Sequence, residues 1–264
     1  AASTGSQQTM YKKLTNLLIL IDNLNTSRLA DLSLNYIDHP NLIVRYWAVR
    51  SVTSAAVLDE LNTGNVGSMQ LGRDICTELK TIVADASPET IEIMASFAGG
   101  IEVPQGRELL LAIADHRIKQ YENWNVDRPL VEMAILQLLN SEWASAEQQE
   151  QKQQTGRRFG QLFSYVMQGY IKGQDYWQSH QKEQLVSVMV EIEKSVISRR
   201  LELAQSVIER SIEEDRVEAL QREHDRLLGS PGQRGALAEA MNFNYAGESQ
   251  APKTLPAPPD RADQ

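Results

Sequence analysis

The sequence predicts an all-α fold, a short α-solenoid of stacked antiparallel helix pairs, and three observations carry the prediction. Every periodic segment repeats its apolar residues at three- and four-residue steps, and none alternates as a half-buried strand does. Prolines stand between the two helices of successive pairs, at Pro40, Pro88 and Pro129, with spacings of 48 and 41 residues. Small residues cluster where one helix would cross another, as at Ala48, Ser51, Ala55 and Ala56.

Residues 1–8 are small and polar and are expected to fray. From Thr9 the helical period begins, with Met10, Leu14, Leu17, Leu18, Ile21 and Leu24 on it. Ser27 can cap the next helix, marked by Leu29, Leu32, Leu34 and Ile37 and stopped at Asp38-His39-Pro40, because a residue before proline avoids the helical region. The helix that follows Pro40 is expected to run from Asn41 past Ala56 to the turn at Gly64-Asn65. Leu71, Ile75, Leu79, Ile82 and Val83 mark the next helix, and Ile91, Met94, Ala95 and Ala98 its partner, ending at Gly99-Gly100. A further pair is expected around Leu109–Ile118 and Leu130–Leu136. This places the repeats in residues 9–143.

Residues 144–228 hold one more helix pair and a long charged C-terminal helix. The Gln-rich stretch 145–155 is either the exposed start of a long helix or a hinge. Phe159, Phe163, Tyr165, Tyr170, Tyr176 and Trp177 concentrate after it and read as core. Residues 199–228 carry mixed charge on a thin apolar stripe. That pattern fits a capping helix of the array, or one that lets two copies self-associate. Residues 229–264, with Pro252, Pro256, Pro258 and Pro259, are expected to be mostly disordered and to add nothing to stability.

Pro40 to Val52 resembles the second helix of a HEAT repeat, in which an Asp/Pro turn is followed by Val-Arg, two residues, then Ala. Here those are Asp38, Pro40, Val44-Arg45 and Ala48. The next unit keeps Ile91 and Ala95 but has Glu92 in place of the Arg. Val131-Glu132 departs further. The resemblance covers about residues 27–143 and implies a curved helical stack with a partner-binding surface. It also implies a structural use for Arg45, bonding an acidic turn residue of a neighbouring repeat.

The formal net charge of -9 and pI near 5.1 oppose approach to a phosphate backbone, so nucleic acid is not the expected partner. The only Arg doublets, Arg157-Arg158 and Arg199-Arg200, do not reverse that. No segment offers the roughly 18 apolar residues of a membrane span. The opening Ala1-Ala2-Ser3-Thr4-Gly5 suits the mature side of a signal-peptidase cut, and a trimmed chain would look the same; a periplasmic or exported location is expected over a cytoplasmic one.

No phosphate loop, nucleophile elbow or paired-histidine motif is present, and the single Cys76 reads as a small buried hydrophobe. No catalytic residue, metal or cofactor is therefore expected. The expected function is a non-enzymatic scaffold for a protein partner. The candidate contact residues are Arg45, Tyr46, Trp47 and Arg50, since aromatic and Arg side chains carry interface hot spots and Tyr46 shares a helix face with Arg50. The alternative is a helical enzyme or small-ligand domain with a pocket near residues 143–177.

Overall fold

The computed structural model describes residues 2–203 and 206–259, and it is 72% helical. Among the described residues there are thirteen α-helices, and the only strands are two of two residues each. The chain divides into two compact units, Ala1–Ile113 and Ala114–Gln264. The division falls inside a helix.

The first unit contains α1 (Ala2–Leu24), α2 (Ala30–Leu34), α3 (Leu42–Val52), α4 (Ala55–Leu61), α5 (Val66–Thr81), α6 (Pro88–Gly100) and the first half of α7 (Pro104–Glu122). Side-chain caps start four of them. Asn41 Oδ1 accepts from the N–H groups of Ile43 and Val44, Ser54 Oγ from Val57, Asn65 Oδ1 from Ser68, and Ser87 Oγ from Thr90 with Pro88 in the first turn. Helix α3 is the hub, packing against α1, α2 and α6. Ala48 lies at its centre with no exposed surface, and Ser51 Oγ donates to Ser33 Oγ at 2.7 Å in the same interior.

Two expectations are corrected here. Residues 2–8 are the first turns of α1, so the expected frayed start is helical; Ala1 lies outside the described residues. The single helix expected from Asn41 past Ala56 is two, because Ser54 turns extended and caps α4.

The second unit contains the rest of α7, then α8 (Val131–Ser145), α9 (Gln149–Lys172), α10 (Ser179–Ile192), a π-helical turn (Glu193–Ser198), α11 (Val207–Glu213), α12 (Val217–Leu228), the antiparallel ribbon β1 (Gly229–Ser230) and β2 (Gln233–Arg234), and α13 (Ala236–Ala240). The Gln-rich stretch is the start of α9 and not a hinge. Helix α9 is central and packs against α8, α10, α12 and α13. The Arg117 guanidinium donates from Nε to Glu132 Oε1 at 2.7 Å, tying α7 to α8; burial pushes the Glu132 carboxyl up to about 7 against the pull of Arg117.

The charged segment 199–228 is not one long helix. Residues Glu214–Arg216 break it, with Asp215 in the left-handed region, and residues 204–205 lie outside the described part. Buried Glu193 accepts from the N–H groups of Ile208 and Glu209, satisfying the start of α11 with a carboxylate. The expected disordered tail is also corrected, for residues 229–259. Met241, Phe243, Tyr245 and Leu255 are buried. Phe243 seats in a notch at Gly156 and Gly160 of α9, where an added Cβ would come within 2.8 and 2.6 Å of its ring. Prolines remove donors from such a segment but not acceptors, and α9 supplies the missing partners. Residues 260–264 lie outside the described residues.

Candidate functional site

In the first unit, α3 carries the four candidate residues. Tyr46, Trp47 and Arg50 come together; Arg45 does not join them. Arg50 Nε donates to Asp22 Oδ2 of α1 at 3.2 Å, and its Nη1 reaches the Tyr46 hydroxyl at 3.4 Å. Its guanidinium lies over the Trp47 ring, 5.3 Å from the centroid, while Tyr46 meets that ring edge-on. Arg45 is committed elsewhere: Nη1 donates to the Asp85 carbonyl at 2.7 Å and Nε to the His39 carbonyl at 3.2 Å. The turn bond implied by the HEAT resemblance thus runs to a backbone oxygen and not to a carboxylate. Beside Arg50 is a cleft of about 560 Å3, lined by Asp22, Asn23, Asn25, Thr53 and Ser54.

A second feature of this unit lies on α1. Leu18 and Ile21 are buried beneath it, yet Met10, Leu17, Leu20 and Leu24 are between 46% and 56% exposed. With Lys13 their spacing is three, four, three, four, the a/d seam of a heptad. The period was visible in the sequence as one apolar arc. That α3 would cover only half of the arc was not.

In the second unit the polar interior collects around α9 and α12. Asp225 Oδ1 lies 2.9 Å from His224 Nδ1, and His224 Nε2 lies 2.8 Å from Ser164 Oγ. Gln168 Nε2 donates to the same Ser164 oxygen at 2.8 Å. One proton arrangement satisfies all of these. The His224 proton sits on Nδ1 and points at Asp225, and the Ser164 hydroxyl donates to Nε2. Burial pushes His224 down, with Lys172 adding to the effect against Asp225, which keeps the ring neutral as this arrangement requires.

The relay continues into the tail. Gln168 Oε1 accepts the Leu255 N–H at 2.7 Å, and its Nε2 donates to the Lys253 carbonyl at 3.2 Å. Gln161, two turns earlier on α9, accepts the Lys253 N–H at 2.9 Å and donates to the same carbonyl. Lys172 Nζ donates to the Leu255 carbonyl, and Trp124 Nε1 to that of Pro256 at 3.2 Å. A cavity of about 280 Å3 lies beside this network, lined by Lys172, His224, Asp225, Pro252 and Thr254 among others.

The connectivity Ser–His–Asp is that of a nucleophile relay, but the chemistry around it is different. Ser164 has no exposed surface, and it stands in mid-helix, where backbone N–H groups are already spent on helical bonds and form no oxyanion hole. The relay aims Gln168 at the tail. The adjacency of His224 and Asp225 was legible in the sequence; Ser164, 60 residues away, was not.

Among the described residues no group of three or more His, Cys, Asp or Glu converges to hold a metal ion, and no helix is long and apolar enough to cross a membrane. Cys76 is buried, which pushes its thiol up to about 12. No family model, curated protein or solved structure matches the chain.

Proposed function

We propose that the chain is a non-enzymatic helical scaffold of stacked helix pairs whose first unit docks the amphipathic helix of a protein partner along α1. The observation that supports this is the seam of Met10, Leu17, Leu20 and Leu24, a helix-pairing spacing left open to solvent. Lys12 and Lys13 are the exposed charges beside it, while Asp22 is engaged with Arg50. In a chain of net charge -9 this is a local basic rim, and it suits a partner helix whose flanks are acidic. Arg50, Tyr46 and Trp47 brace α1 from α3 in this reading. They position the surface and leave the contact itself to the leucines.

Covering the remaining half of each of three leucines is worth about 1 kcal/mol apiece, about 3 kcal/mol in all, so burial of the partner's own apolar face must supply most of the net affinity. The test titrates the full chain with a fluorescent 21-residue helical peptide carrying Leu at its a and d positions and Glu on both flanks. The expected outcome is saturable binding that weakens at least tenfold in Leu17→Glu/Leu20→Glu. Equal binding by that variant, or none by the parent, would overturn the proposal. Light scattering of the peptide-free chain separates off the other occupant, since a dimer abolished by the same variant would replace the partner helix with a second copy.

A further inference from the structure

We infer that the cavity between α8 and the π-helical turn is a binding site for a small hydroxycarboxylate. The inference starts from Asn140. It stands in mid-α8 with 1% of its surface exposed, between apolar residues such as Leu136 and Leu139 that are fully buried. Among the described residues neither its Oδ1 nor its Nδ2 has a hydrogen-bond partner. A buried amide with both ends unpaired is costly, and a leucine in its place would be favoured if the position served packing alone.

The amide borders a cavity of about 270 Å3, shared with Gln137 and Ser141 of α8, Ser195 and Val196 of the π-helical turn, and Arg200 just beyond it. This is the size of a ligand with few heavy atoms. The π-helical turn widens the helix locally, with Leu201 N–H reaching back to the Val196 carbonyl at 3.0 Å, and such turns recur at binding sites.

The lining side chains divide by what they have left to offer. Gln137 Nε2 is spent on Glu191 Oε1 at 3.3 Å, and the Ser195 hydroxyl on the Glu191 carbonyl at 2.7 Å. Arg200 makes one contact of 3.4 Å to Ser141 Oγ, which leaves most of its planar fork open and the Ser141 hydroxyl proton available. Among the described residues Arg200 is the only charged one on the lining, so the cavity selects an anion, and a fork of parallel N–H groups matches a carboxylate. Asn140 Nδ2 is a second donor toward it. Asn140 Oδ1 has the opposite need, a donor, which an ionised carboxylate lacks. A hydroxyl on the neighbouring carbon supplies it. Arg200 disfavours an ammonium in that place.

The experiment titrates the full chain by calorimetry with glycolate, lactate and malate, and with propionate, which keeps the carboxylate and lacks the hydroxyl. At least one hydroxy acid should bind at one site per chain, at least tenfold tighter than propionate. Arg200→Gln should weaken that binding at least tenfold and leave the melting temperature of the ligand-free chain unchanged. Asn140→Leu should erase the preference over propionate while raising that melting temperature, because it removes an unpaired buried amide. The inference is overturned if none of the three hydroxy acids binds, if propionate binds equally well, or if Arg200→Gln titrates as the parent does.

Discussion

The two longest helices of the described chain, α1 with 23 residues and α9 with 24, are covered in opposite ways. Helix α9 is enclosed between residues 159 and 169 by its neighbours and by the chain's own C-terminal segment, which brings Phe243, Tyr245 and Leu255 to it. Helix α1 buries Leu18 and Ile21 and leaves a parallel row of leucines in water. Both helices have a wide apolar surface. They differ in whether a later segment of the chain brings side chains to it and whether the helix offers polar groups to hold that segment. Helix α9 offers Gln161 and Gln168, whose amides meet the backbone of residues 253–255, whereas among the described residues no later segment is bonded across the exposed leucines of α1. A surface completed in cis is part of the fold, and one left incomplete is open to a partner in trans.

The comparison breaks most visibly at Leu255, which has no exposed surface. Leu255→Asp buries an unpaired carboxylate and should cost about 3 kcal/mol or more, lowering the second unit's melting temperature by roughly 6 °C or more in calorimetry. An unchanged transition would mean that the tail is not part of the unit.

Ala48→Trp comes next. It overpacks the interior that α3 shares with its neighbours and should cost about 1–3 kcal/mol, read by denaturant unfolding followed by circular dichroism. A midpoint equal to that of the parent would show that the first unit's interior yields where the structure shows it closed.

The tail attachment should also respond to acid. His224 is held below its ordinary range, so between its ordinary value near 6.5 and its lower folded value the unfolded chain binds more protons than the folded one. The stability contributed by the neutral ring is therefore present above about pH 6.5 and is lost as pH falls through the folded value. A proton on Nε2 removes the acceptor for Ser164, and Ser164 shares Gln168 with the tail. The Leu255 amide should lose hydrogen-exchange protection, corrected for intrinsic rate, as pH falls below about 6.5 and through the folded value, and His224→Gln should flatten that profile. Constant protection down to a pH at which the His224 ring is seen by NMR to be protonated would uncouple the ring from the tail.

At Arg50 the effect should be small. Its bond to Asp22 is half-exposed, so Arg50→Ala should cost about 1 kcal/mol or less in the same unfolding measurement. A larger loss would contradict the reading that this half-exposed pair orients α1 without holding much of its stability, and would show that the Arg50–Asp22 bond carries much of the α1–α3 contact.

These contrasts mark what the sequence could convey. The helical period, the Ser87-Pro88 start of α6 and the burial of Ala48 follow from short-range chemistry and were legible. The order of the tail was not, because its determinants lie on α9, 85–92 residues earlier, and glutamines in a helix read as solvated surface. The break at Ser54 was not, because a serine serves equally as a cap and as a small residue inside a longer helix. Asn140 was invisible for a similar reason, since nothing local distinguishes a buried asparagine from an exposed one. On α3, residue type alone does not reveal that Arg45 is bonded to carbonyls and Arg50 to Asp22.

The smallest expected effect is also the most direct test. If α1 is bare by construction of the fold, Leu17→Glu/Leu20→Glu should melt within about 1 °C of the parent, since surface substitutions away from packed contacts change stability little. Calorimetry of this variant beside Leu255→Asp should show a large loss at the tail and almost none on α1. A drop of several degrees for the α1 variant would show that the leucine row is already covered within the folded chain, and the contrast between the two helices would be gone.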